Sequence, residues 1–205
     1  VDEIANMAAA QGFLPLIDAA YHGFAKDLDA DAYMIRKFSA DLPEVLVTYS
    51  CSKNFGLYRE RTGALIIVGA SADRAAAVKS QAISLARKNY SMPPAHGGEV
   101  VAEILSDPAL SKLWREELTE MADRVRSNRQ LLERTAQASG LHNRLSFVAD
   151  QAGMFSLLPL SEDQIRIMRE DYGVYIVGGG RINLCGVNEV NVEHLVRAYK
   201  AATSA

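Results

Sequence analysis

The run Ser50-Cys51-Ser52-Lys53-Asn54-Phe55-Gly56-Leu57-Tyr58-Arg59-Glu60-Arg61 sets one amine between two hydroxyls, with a guanidinium across a turn that Gly56 permits. Upstream, Asp18 closes the apolar run "FLPLID", and Tyr21 follows three residues later. Hydroxyls with an arginine suit a phosphate, because the guanidinium presents a fork of donors to its oxygens. An arbitrary Asp and Lys would make a structural ion pair. Beside a phosphate anchor the same two groups could do more. They match what pyridoxal phosphate requires: an amine to form a Schiff base with its aldehyde, and a carboxylate to pair with the protonated ring nitrogen. Arg59 has no such role and reads as solvated.

These groups need elements that bring them to one place. Ile4, Met7, Ala8 and Phe13 fit a short amphipathic helix stopping near Gly12. "FLPLID" is too short for a helix and reads as a buried strand. A weaker helix over 30–40 leads to "EVLVTYS", a β-branched strand. Strand, helix, strand makes these two strands parallel, so Asp18 and Lys53 fall at carboxyl ends, where open α/β sheets bind ligands. The link from Asn54 to Thr62 is too short for a crossover helix, so "GALIIVG" should return antiparallel.

Helices follow at 72–88 and 98–105. A long one runs from Pro108 to Gly140, on a stripe of Leu110, Leu113, Leu118, Met121, Val125 and Leu132. "GMFSLLPL" is a strand, Ser161 and Gln164 form a capping box for a helix to Asp171, and "GVYIV" and "RINLCG" are strands joined by Gly178–Gly180. A last helix spans 188–202. The expected architecture is α/β with a mostly parallel sheet over residues 1–115, then a small α+β domain over 116–205.

Composition narrows the setting. The chain has 205 residues and a net charge of −3, so it has no bulk field for nucleic acid or an anionic membrane. Its longest apolar run, Ala64 to Val68, cannot cross a bilayer. Cys51 and Cys185 lie far apart without metal-like spacing, as in a reducing cytoplasm, and His96, His142 and His194 show no ligand spacing either.

The segments "LPLIDAAYHGF" and "SCSKNFGLYRERTGA" resemble those of class I aminotransferases of the aspartate and aromatic amino acid subgroup. "RKNYSMPPAHG", "GMFSLL" and "GRINLCG" are similar in the same order, so the resemblance covers essentially the whole chain. It implies the pyridoxal phosphate-transferase fold (type I) and an amino-group transfer from aspartate or an aromatic amino acid to 2-oxoglutarate. Lys53 would be the Schiff-base lysine and proton shuttle. Asp18 would partner the ring nitrogen, and Tyr21 would bond the cofactor's phenolic oxygen. Ser50, Ser52 and Arg61 match phosphate-binding positions. Arg181 matches the grip on the substrate α-carboxylate, with Phe155 beside it. Arg87 would reach a side-chain carboxylate in the neighbouring subunit's site, and Ser91 would complete that subunit's phosphate site, in a homodimer.

Three positions depart from the family pattern. His22 stands where Gln is frequent; since Lys53 already fills the role of base, His22 reads as structural or supporting. Met92 replaces a frequent Asn, and the glycines before Arg181 loosen its approach. Members of the family are longer, and the chain opens as if in mid-domain, so it is expected to be a C-terminal half with uncovered apolar surface. Two other readings stand beside the aminotransferase: a non-catalytic module keeping only folding and dimer surfaces, and a pyridoxal enzyme of another type such as a lyase. Arg87 with Arg181, a pair suited to dicarboxylates, argues against the lyase.

Overall fold

The computed structural model describes residues 1–204. The chain folds as two compact units, Val1–Thr119 and a second beginning at Glu120.

In the first unit, α1 (Asp2–Gln11) ends where Gly12 turns left-handed at φ 69° and returns its N–H to Ala8. Strand β1 (Leu16–Ala19) begins only after Pro15 and alternates, with Ile17 and Ala19 buried and Leu16 exposed, rather than being buried on both faces. After α2 (Leu28–Asp31) and α3 (Tyr33–Asp41), β2 (Val45–Ser50) lies parallel to β1, Asp18 opposite Thr48. Strand β3 (Gly63–Val68) pairs antiparallel with β2, Ser50 opposite Gly63, as its short connection requires. Val45 and Val47 are wholly buried against Ala5, Ala8 and Phe38. Each such valine contributes about 1.5–3 kcal/mol by leaving water.

Helix α4 (Ala72–Tyr90) starts at Ser71, whose side chain accepts from the Arg74 N–H. It has no buried residue, and Ile83, Leu85 and Tyr90 are exposed. Helix α5 (His96–Ser106) follows, and the boundary between units falls within α6 (Pro108–Ala138).

The buried positions of α6 are Leu118, Ala122, Val125, Asn128, Arg129, Leu132 and Ala136, not the whole leucine stripe: Leu110, Leu113 and Met121 are exposed. In the second unit this helix packs with α7 (His142–Leu145), α8 (Phe147–Asp150), α9 (Glu162–Tyr172) and α10 (Val192–Ser204) around Leu145, Val148, Met168, Leu184 and Tyr199. The capping box opens α9: Ser161 accepts from the Gln164 N–H and Gln164 from the Ser161 N–H. Strands β4 (Phe155–Leu157) and β5 (Arg181–Asn183) form an antiparallel pair.

"GVYIV" does not form a strand. It meets the sheet only through a bridge from Val177 to Arg181, because the Gly178–Gly180 turn folds back at once. That turn is tied rather than loose. Gly179 N–H donates to Glu162, and Gly180 accepts from Leu158 N–H at 2.8 Å. Gly180 sits at φ +74°, where a Cβ would lie 2.2 Å from the Leu158 carbonyl oxygen.

Candidate active site

Parallel pairing brings Asp18 and Ser50 to the same edge of the sheet, each at the carboxyl end of its strand. Beyond Ser50 the chain turns tightly, Phe55 N–H returning to Cys51 and Gly56 N–H to Lys53, with Gly56 at φ +67°. This turn carries Lys53, whose Nζ lies 4.8 Å from the centroid of the Tyr21 ring. A cation over a phenol face is held by the ring quadrupole. Asp18 Oδ1 accepts from the Ala20 N–H at 3.1 Å, which orients its carboxylate at the start of the Tyr21 turn.

Ser50 Oγ accepts from the Ser52 N–H at 3.2 Å and donates to Ser52 Oγ at 3.0 Å. The two hydroxyls are thus held together at the start of the lysine turn. Arg61 is turned back on its own loop, Nη1 donating to the Tyr58 carbonyl at 2.7 Å. Arg61 at φ 52° and Ser91 at φ 66° are the only non-glycine residues with left-handed φ among the described residues. Such strain, of order 1–3 kcal/mol each, concentrates at ligand clamps. Ser91 caps α4 one turn beyond Arg87, its N–H bonded to the Arg87 carbonyl, and Arg87 is exposed.

In the second unit the Arg181 guanidinium lies 5.1 Å from the Phe155 ring centroid. Register explains the pairing: Phe155 faces Asn183 and Leu157 faces Arg181, so Phe155 and Arg181 are diagonal neighbours, within reach of long side chains. Phe155 is held from behind by Arg129, which is 1% exposed and donates to the carbonyls of Val148, Ala152, Gly153 and Phe155 and to Ser156 Oγ. Burial pulls this guanidinium below its ordinary pKa. Arg129 was legible as an anomaly: it sits in the 3–4 spaced stripe between Val125 and Leu132.

Sequence reasoning also passed over what surrounds His22. Its Nε2 lies 2.7 Å from the Leu28 carbonyl and its Nδ1 2.9 Å from the Tyr49 hydroxyl. Asn54, fully buried, donates from Nδ2 to the Tyr49 hydroxyl and the His22 carbonyl, and its main-chain carbonyl accepts from Trp114 Nε1. Burial raises the Tyr49 phenol, with the Asn54 hydrogen bond opposing, and raises the Cys51 thiol. A cavity of about 540 Å³ borders Tyr49, Cys51, Phe55 and Trp114 but none of Lys53, Asp18 or Tyr21. A smaller one of about 270 Å³ is lined by Asp18, Tyr21 and His22. No cluster of three metal-ligating side chains occurs among the described residues, and none of their helices is long and apolar enough to cross a membrane.

The family model described as aminotransferase class I and II matches residues 1–198. An aspartate aminotransferase of Salmonella typhi is 45% identical over 97% of this chain and 50% of its own length. An aromatic-amino-acid aminotransferase of Pseudomonas aeruginosa is 47% identical over 90% of this chain and 46% of its own. The crystal structure of an aromatic-amino-acid aminotransferase from Burkholderia pseudomallei, covalently bound to pyridoxal phosphate, superposes with a TM-score of 0.92 at 40% identity. It covers 98% of this chain and 50% of that one. The chain therefore belongs to the class I and II aminotransferase family. It spans about half the length of the curated relatives it matches.

Proposed function

We propose that this chain carries the cofactor-anchoring and carboxylate-binding residues of a pyridoxal phosphate-dependent aminotransferase. The observation that carries the reading is the Lys53 amine against the Tyr21 ring, at the sheet edge that also holds Asp18, Ser50 and Ser52. The donor set fits the cofactor: a carboxylate for a protonated ring nitrogen, a phenol for an oxyanion, and two hydroxyls with a guanidinium for a phosphate. Strain at Arg61 and Ser91 is independent support, since both are phosphate candidates.

Pyridoxal phosphate supplies an aldehyde that condenses with amines and a ring that accepts electron density. Lys53 would hold the cofactor at that aldehyde, and its amine would be the group that moves the proton at the substrate α-carbon. Asp18 would pair with the ring nitrogen and Tyr21 would donate to the phenolic oxygen, while Ser50, Ser52 and Arg61 would hold the phosphate. Arg181 grips the α-carboxylate by two parallel hydrogen bonds, its plane steadied by Phe155. Exposed Arg87 and Ser91 serve the neighbouring site of a homodimer; the absence of any buried residue along α4 supports a covered surface there. The donors are aspartate or aromatic amino acids and the acceptor is 2-oxoglutarate, a reading supported by the aspartate and aromatic-amino-acid aminotransferases that the chain resembles.

The test is the visible spectrum after adding pyridoxal phosphate to wild type and Lys53→Ala. A lysine-bound cofactor band in the first alone supports the reading. Identical spectra favour a module that keeps only folding and dimer surfaces.

A further inference from the structure

We propose that His22 and Tyr49 form a positioning pair that holds the Tyr21 ring against the Lys53 amine. The inference deepens the reading of Lys53 as cofactor anchor and rests on it only for its functional meaning.

The hydrogen-bond directions follow from the partners. The Leu28 carbonyl can only accept, so His22 Nε2, 2.7 Å away, carries the hydrogen. In the neutral ring Nδ1 is then an acceptor, and the Tyr49 hydroxyl donates to it at 2.9 Å. The Tyr49 oxygen in turn accepts from Asn54 Nδ2 at 2.8 Å. The second Asn54 amide hydrogen goes to the His22 carbonyl at 3.3 Å. Turning the amide over would set its oxygen against that carbonyl, acceptor to acceptor. The circuit runs Asn54 to Tyr49 to His22 and from Asn54 directly to the His22 backbone, and it leaves Asn54 Oδ1 buried without a hydrogen-bond partner among the described residues.

Its consequence lies one residue away at each end. His22 follows Tyr21, and Asn54 follows Lys53. The turn after β1 and the turn after β2 are thus joined twice: directly, and through Tyr49. Trp114 adds an anchor, donating to the Asn54 carbonyl at 2.7 Å and stacking on Phe55. The His22 and Tyr49 rings also meet edge-on at 5.5 Å. With both turns locked, the Tyr21 ring stays beneath the Lys53 ammonium. With Tyr49 lacking its hydroxyl, His22 Nδ1 and Asn54 Nδ2 each lose a partner in a half-buried site, and only the direct Asn54–His22 link still ties the two turns, which loosens the Tyr21 ring against Lys53. Neither His22 nor Tyr49 touches reacting atoms; they act through Tyr21 and Lys53.

The experiment is trace acetylation with acetic anhydride, with the rate at each lysine read by mass spectrometry. Wild type, Tyr49→Phe, His22→Leu and the double variant are compared, with Lys79 and Lys88 as internal controls. Tyr49→Phe removes one atom from a packed ring and serves if His22→Leu does not fold. The expected result is a Lys53 rate raised about threefold in Tyr49→Phe, the scale of a lost cation–ring contact, with the control lysines unchanged. The double variant should exceed the larger single effect by little, because the two side chains act as one unit. An unchanged Lys53 rate in folded Tyr49→Phe overturns the proposal. Reductive labelling of wild type with pyridoxal phosphate separates the two ideas. Failure to label Lys53 would reject the cofactor reading, while the acetylation rates still decide the positioning pair.

Discussion

Arg129 Nη2 donates to the Phe155 carbonyl at 2.6 Å from a side chain that is almost wholly buried. Its other acceptors are three main-chain carbonyls and a serine hydroxyl, so a buried cation is balanced by dipoles rather than by a carboxylate. Ser156 completes the arrangement by donating to Gln151 Oε1 at 2.7 Å. Arg129→Ala should therefore destabilise the second unit by about 3 kcal/mol or more, since several buried acceptors lose their donor together. Denaturant unfolding followed by circular dichroism checks this. Arg129→Lys, with one point charge in place of a planar fork, should recover only part of the loss.

The turn before Arg181 gives a second outcome. Gly180→Ala must hold a left-handed backbone and also push a methyl into the Leu158 carbonyl oxygen, whereas Gly12→Ala, at φ +69°, meets nothing within 4 Å. Gly12→Ala should cost about 1 kcal/mol, the conformational term alone. Gly180→Ala should cost about 2–4 kcal/mol and shift the Arg181 resonances in NMR spectra, because β5 begins at the next residue.

Loss of the α9 cap is a third. Ser161→Ala removes one half of a reciprocal pair and should lower stability by about 1 kcal/mol, with Ser161→Asp restoring most of it. Thermal melts of the three proteins make the comparison.

Alkaline pH provides a fourth. Burial raises the phenols of Tyr49 and Tyr199 above the ordinary value of 10.0. Above about pH 10 the unfolded chain loses these protons while the folded chain keeps them, so stability falls as pH rises through that range. Below it the two states bind the same protons and these groups add no slope. Tyr199→Phe should flatten the alkaline limb of stability against pH and leave the neutral region as in wild type. A limb as steep as wild type would assign the loss to other groups.

How far the sequence carried differs between the two units. Parallel β1–β2 and antiparallel β3 were legible because link length alone separates a crossover from a hairpin. Gly12 and the Ser161–Gln164 box marked helix ends for equally local reasons. "GVYIV" was misleading: its β-branched residues promise a strand, but the adjoining glycine turn reverses the chain before a ladder can form. Arg129 was passed over because a charged residue in an apolar stripe reads as surface until its carbonyl partners, 19 to 26 residues away, are in place. His22 and Tyr49 lie 27 residues apart and meet only through the β1–β2 register. The lysine turn was legible from its own residues, since its hydroxyls, amine and guanidinium are contiguous.

The central claim is that Lys53 binds the cofactor. Incubation with pyridoxal phosphate, reduction with borohydride and peptide mapping by mass spectrometry test it most directly. The account predicts one stable phosphopyridoxyl group, on Lys53, absent from Lys53→Ala and diminished in Asp18→Ala. Label spread evenly over the surface lysines, with Lys53 no more modified than Lys79 or Lys88, would contradict it.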